Sequence, residues 1–101
     1  MEISTHISSD KSEVTISVSA SFDIHVFQEF SRVYKEVNQP GAKYIIDMAK
    51  TEFIDSSGLG MLLLMRERLG GSDTDISIVN CRPEIKRTLE SVNLHRFVQI
   101  E

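Results

Sequence analysis

The run Asp55-Ser56-Ser57-Gly58-Leu59-Gly60 brings together a carboxylate, two hydroxyls and two glycines. Four kinds of chemistry use such groups. A nucleophilic serine needs a base within hydrogen-bond reach, as a rule a histidine held by a carboxylate. The G-x-S-x-G elbow is absent because Phe53-Ile54-Asp55 precedes Ser56, and His6, His25 and His95 are scattered along the chain. A metal site fares no better: the histidines form no i, i+4 pair, and Asp55 has no companion carboxylate at a ligand spacing. Glycines at a helix start suit a phosphate, yet no lysine follows them, so the Walker pattern fails and no bound cofactor is expected.

The fourth use makes Ser56 the target instead of the agent. A hydroxyl at the exposed start of a helix is open to a kinase. A phosphate there gains about 0.3–1 kcal/mol from the helix dipole and adds about -1.5 to -2 charges beside Asp55. One added charge facing a like charge about 6 Å away costs on the order of 3 kcal/mol at an effective dielectric of 20, roughly two decades in a dissociation constant. Modification can therefore spare the fold and abolish an interface. The plain structural role, a serine capping a helix, accounts for one polar residue only. It leaves unexplained two glycines that each cost a helix interior about 1 kcal/mol relative to alanine.

The corner needs a strand before it and a helix after it. Tyr44-Ile45-Ile46 lies in an apolar strand, Lys43 to Met48, whose adjacent apolar residues predict a central strand covered on both faces. Downstream, the helix runs to about Leu69. At about 100° per residue, Leu59, Met61, Leu62, Leu63, Met65 and Leu69 share the arc that faces the sheet, while Gly60, Leu64 and Glu67 point outward. Leu64 beside Gly60 is then a candidate contact next to Ser56, and Ser57 is the expected cap.

Upstream, a first strand is expected around Ile3 to Ile7, then a polar turn at Asp10 to Glu13. Val14, Ile16, Val18 and Ala20 alternate with polar residues, which predicts an edge or near-edge strand, hairpinned to the first and wet on one face. The period then changes: Val26, Phe27, Phe30, Val33, Tyr34 and Val37 form one helical stripe, capped by Ser21 or Asp23 and stopped by Asn38-Gln39-Pro40-Gly41. Gly70 to Asp73 is a turn, and Ile76, Ile78 and Val79 form a strand. Pro83 opens a third helix with a stripe of Ile85, Leu89 and Val92 and a C-terminal cap at Asn93. Phe97, Val98 and Ile100 close the chain as a strand. The order ββαβαβαβ predicts an α/β fold, a mostly parallel sheet with an N-terminal hairpin, its helices covering one side more fully than the other.

Composition bounds the function. One domain, 1–101, is expected, and 41% apolar with 26% charged residues excludes disorder. Eleven basic against fifteen acidic residues, spread evenly, give no cluster able to displace phosphate counterions, so no nucleic-acid partner is expected. The longest apolar run, Met61 to Met65, is too short for a membrane span. Cys81 stands alone and the N-terminus lacks a signal-peptide pattern, so a cytoplasmic protein is expected.

Phe53-Ile54-Asp55-Ser56-Ser57-Gly58-Leu59-Gly60 resembles the D-S-[ST]-G-L-G signature of the STAS family, in particular its single-domain anti-sigma factor antagonists, and the element order resembles that family over nearly the whole chain. The resemblance implies a partner-switching regulator without catalysis of its own. Its unphosphorylated form binds a serine kinase that acts as an anti-sigma factor, Ser56 is the phospho-acceptor, and a PP2C-type phosphatase restores it. It also implies that Asp23 lines the kinase-contacting surface together with the Ser56 loop; joined to the residues read from the corner and its helix, the expected partner-binding surface is Asp23, Asp55, Ser57, Gly58, Leu59, Gly60 and Leu64, with the glycines permitting close approach. Ala20-Ser21 stands where many members carry glycine and a polar residue, and the extra C-terminal helix of many members is not expected after Glu101. The alternative implied by the same motif is a non-catalytic STAS subunit of a lipid or ABC-transport assembly. The output, a sigma factor or another effector such as a biofilm regulator, is not specified by these residues.

Overall fold

The computed structural model describes residues 3–39 and 41–101. A five-stranded sheet is built from β1 (Ser4–Ile7), β2 (Glu13–Ser17), β4 (Lys43–Asp47), β6 (Asp75–Val79) and β7 (Gln99–Ile100), in the order β1-β2-β4-β6-β7. β1 and β2 form the expected antiparallel hairpin, and every later pair is parallel. The hairpin turn is held by Asp10, which accepts from Ser12 N and from the hydroxyls of Ser8 and Ser12. Three helices connect the parallel strands: α1 (Phe27–Glu36), α2 (Ser56–Leu69) and α3 (Pro83–Ser91).

From β2 the strands advance across the sheet without reversing. Right-handed crossovers in one direction deposit every helix on the same face. The register aligns Val14, Tyr44 and Ile76 in one row and Ile16, Ile46 and Ile78 in another, all buried beneath the helices. The intervening row, Thr15, Ile45, Ser77 and Gln99, points the other way. The expectation of one better-covered side holds. Cover on both faces of the Lys43–Asp47 strand does not: the strand is central, but Ile45 stays partly exposed on the open face.

Two further strands, β3 (Ser21–Phe22) and β5 (Phe53–Ile54), pair in parallel as a separate ribbon. β2 is correspondingly shorter than its alternation predicted. Past Val18 the chain turns toward the ribbon, which buries Ser19 and exposes Ala20. Phe22 anchors the ribbon in the core, edge-on to Phe30 at 5.0 Å between centroids, and Phe30 meets Tyr34 at 5.4 Å.

The helix ends follow their sequence signals. Asp23 caps a short 3-10 turn (Ile24–Val26) that leads into α1. The stop after α1 is partly visible: Gly41 takes φ +81°, while Pro40 lies outside the described residues. Gly70, at φ +136°, ends α2, and Pro83 opens α3. Asn93 follows α3 at φ 62°, the left-handed conformation of a helix C-terminus. Two expectations near the C-terminus fail. Val92 is exposed, because α3 ends at Ser91 and its stripe closes with Leu89. Phe97 and Val98 lie outside the last strand, because a 3-10 turn at Leu94–Arg96 uses up the chain and leaves only Gln99–Ile100 to pair.

Candidate functional site

The loops after β2, β4 and β6 all leave the carboxyl edge of the parallel strands, the edge at which open α/β sheets bind ligands. Two of them have the same build. Each ends in one strand of the β3–β5 ribbon, and each ribbon strand is followed by an aspartate in extended conformation. Asp23 Oδ1 accepts from His25 N at 3.0 Å, and Asp55 Oδ1 accepts from Gly58 N at 3.0 Å. The register Phe22↔Ile54 makes Asp23 and Asp55 emerge side by side, although 31 residues lie between them in the chain. The ribbon thus unites two sequence-distant members of the expected surface.

A buried polar stitch fixes this geometry. Thr51 is fully buried and its hydroxyl donates to Ser19 O at 2.9 Å. Glu52 N and Phe53 N both donate to Ala20 O, at 2.8 and 3.0 Å, and Ser19 Oγ donates to Ser21 O at 2.7 Å. A buried polar group without such partners costs about 1–3 kcal/mol, so these bonds hold the two loops to one arrangement. No spacing in the sequence marks Thr51 for this role.

Asp55, not Ser57, caps α2. This frees Ser56, the first helical residue, which is exposed, and leaves Ser57 half-buried. No histidine is hydrogen-bonded to Ser56 among the described residues; His25 is turned to Asp23, with Nδ1 at 3.1 Å from Oδ1. Among the described residues no three potential ligands gather as a metal site, and no helix is long and apolar enough to cross a membrane.

The two glycines differ. A Cβ on Gly58 would run into Phe22 O and meet Ile54 Cγ1 at 2.9 Å, whereas one on Gly60 would meet nothing within 4 Å. Gly58 therefore lets α2 close on the ribbon, and Gly60 leaves bare backbone on the outer surface. This also re-aims the helix. Gly58, Met61, Leu62 and Met65 form the buried stripe, and a glycine in that stripe is invisible to a count of apolar side chains. Leu63 consequently lies outward with 38% exposure, against the expectation that it faces the sheet. Leu64 and Leu59 flank the stripe at about 110° on either side, each half-buried, so Leu64 faces the α1 side instead of sitting on the outer ridge with Ser56, Gly60 and Glu67.

Two apolar residues that sequence reasoning did not single out border this corner: Ile24 is 58% exposed and Phe53 51% exposed. Strand alternation buries Ile54 and turns Phe53 out, and the 3-10 turn after Asp23 lifts Ile24 from the surface. Nearby charge is acidic, from Asp23, Asp55 and Glu52, with Arg82 reaching Glu52 at 3.9 Å. An exposed hydroxyl, an apolar fringe and a carboxylate pair on a rigid ribbon suit protein docking.

A family model described as "Mlab, STAS domain" matches residues 5–99. The chain belongs to the STAS domain family. This STAS domain is 36% identical over 100 residues to a STAS-domain containing protein of Pseudomonas aeruginosa (strain UCBPP-PA14), covering 99% of each chain. Its fold is that of anti-sigma factor antagonists. One such antagonist from Mycobacterium paratuberculosis superposes with a TM-score of 0.74 at 24% identity, over 97% of this chain and 84% of that one. The Bacillus cell fate determinant SpoIIAA in its phosphorylated form superposes with a TM-score of 0.66 at 16% identity, over 98% and 90% of the two chains.

Proposed function

We propose that this STAS domain is a non-catalytic partner-switching regulator of the cytoplasm, gated by phosphorylation of Ser56. Unphosphorylated, it binds a serine kinase of the anti-sigma-factor type through Asp23, Asp55, Ser57, Leu59, Gly60 and the exposed Ile24 and Phe53. The kinase supplies the catalytic base and ATP. Transfer of the γ-phosphoryl group to Ser56 Oγ breaks the γ-phosphoanhydride bond, releases ADP and passes the hydroxyl proton to the kinase base. A PP2C-type phosphatase hydrolyses the ester and resets the domain. Gly58 and Leu64 support the surface from beneath and from the side.

The observation that carries this reading is the exposure of Ser56 at the first position of α2 while Asp55 alone satisfies the cap. Because the serine holds nothing together, its modification leaves the architecture intact. The same corner is apolar at its fringe, so a charge of about -1.5 to -2 placed there opposes desolvation by a partner. That one solved structure of similar fold is the phosphorylated form of SpoIIAA supports the reading.

The test is intact-mass measurement after incubation with ATP and a candidate serine kinase of the anti-sigma-factor type. A gain of one phosphoryl group in the wild type and none in Ser56→Ala is expected. Ser56→Ala should keep its affinity for that kinase and Ser56→Asp should lose roughly two decades; equal affinities would refute the switch. A second reading, a STAS subunit docked constitutively on the ATPase of a lipid-transport assembly, draws on the Asp-Ser-Ser-Gly-Leu run such subunits share. It requires binding that ignores the state of Ser56.

A further inference from the structure

α1 and α2 lie side by side on the sheet and leave a groove between them. A basin of about 390 Å³ and an adjoining one of about 240 Å³ share Tyr34, Lys35 and Arg68, forming one continuous depression. Its apolar lining comes from Phe27, Tyr34, Leu64 and Leu69. Its charged lining is wholly cationic, from the exposed Arg32, Lys35 and Arg68, and no carboxylate lines either basin. In a chain with fifteen acidic and eleven basic residues, this is a local reversal of sign. Arg32 has only a loose partner, Glu36 at 3.9 Å, and Lys35 and Arg68 form no ion pair among the described residues.

We propose that this groove is a second docking surface that takes an acidic segment of a partner protein in which apolar side chains alternate with carboxylates. The apolar side chains displace water from the half-buried Phe27, Leu64 and Leu69, and the carboxylates meet the Arg68 guanidinium and the Lys35 ammonium. Both halves of the groove are then used. A bare phosphate engages the cations and leaves the apolar lining wet; a membrane demands a broad basic face, which this acidic chain lacks. The proposal goes beyond the switch at Ser56, because the groove contains neither Ser56 nor its neighbours in the ribbon.

The test uses the whole chain, isotopically labelled, and a short capped peptide alternating glutamate with leucine, with the lysine–leucine peptide and inorganic phosphate as comparators. The glutamate–leucine peptide is expected to shift the amide resonances of Phe27, Tyr34, Lys35, Leu64 and Arg68 saturably, more weakly as salt rises. Lys35→Glu combined with Arg68→Glu should lower its affinity about tenfold or more. Both side chains are exposed, so an unchanged thermal unfolding curve separates lost binding from lost fold. Ser56→Asp should leave this peptide binding unchanged, which distinguishes failure of the groove from failure of the switch. No saturable shift, equal binding of the lysine–leucine peptide, or equal shifts with inorganic phosphate alone would overturn the proposal.

Discussion

Gly58 and Gly60 stand two residues apart in one helix, and their replacement by alanine should move stability in opposite directions. At Gly58 the new methyl group meets a carbonyl oxygen that cannot retreat, because Phe22 is paired in the β3–β5 ribbon and the ribbon is tied through Ala20 O. Ile54 Cγ1 and Phe22 Cδ2, at 2.9 and 3.0 Å, close the remaining sides. Overpacking of this kind costs about 1–3 kcal/mol, and backbone as the obstacle puts it at the upper end. The helical preference for alanine returns up to about 1 kcal/mol. The net is a loss of about 2 kcal/mol, or roughly 10 °C in Tm for a domain of this size. At Gly60 the methyl group finds open space, so only the gain remains, about 0.5–1 kcal/mol. Urea denaturation followed by circular dichroism reads both, with unchanged m-values expected. A Gly58→Ala variant as stable as the wild type, or two variants shifting in the same direction, would show that α2 does not close on the ribbon as described. Under the switching reading, Gly60→Ala should also weaken partner binding although it is the more stable protein.

Asp55→Ala should cost about 1 kcal/mol by stripping the cap from Gly58 N, while Asp55→Asn should be nearly neutral; thermal unfolding compares them, and equal losses would count against the cap. Phe53→Ser and Ile24→Ser should stay within about 0.5 kcal/mol of wild-type stability yet weaken kinase binding about tenfold or more. Unaltered binding, measured by calorimetry, would remove them from the interface. Hydrogen bonds from Ser12 Oγ, Ser12 N and Ser8 Oγ lower the Asp10 carboxyl from 3.8 to about 2. Its folded value lies below the unfolded one, so its stabilising effect is complete above about pH 4 and fades as pH falls through about 2. An NMR titration of the Asp10 carboxyl should place its midpoint near 2, and Asp10→Asn should flatten the acid limb of stability in that window.

Much of this fold follows from interactions within a few residues of chain. The alternation at Val14 to Val18, the stripe from Val26 to Val37 and the break at Gly70 each express a local periodicity or a backbone restriction, which the sequence carries openly. The corner at Asp55 to Gly60 was legible for the same reason, since strand, cap and helix start are contiguous there. What the tertiary structure decided is everything that depends on contacts between distant segments. A two-residue strand has no period, so the β3–β5 ribbon, and with it the meeting of Asp23 and Asp55, exists only through pairing across 31 residues. Gly58 and Gly60 are alike in composition, and only the nearness of Phe22 O makes one structural and the other open. That same contact turned α2 so that Leu63 faces outward and Leu64 borders the groove, a rotation hidden from any count of apolar residues because the residue that sets it has no side chain.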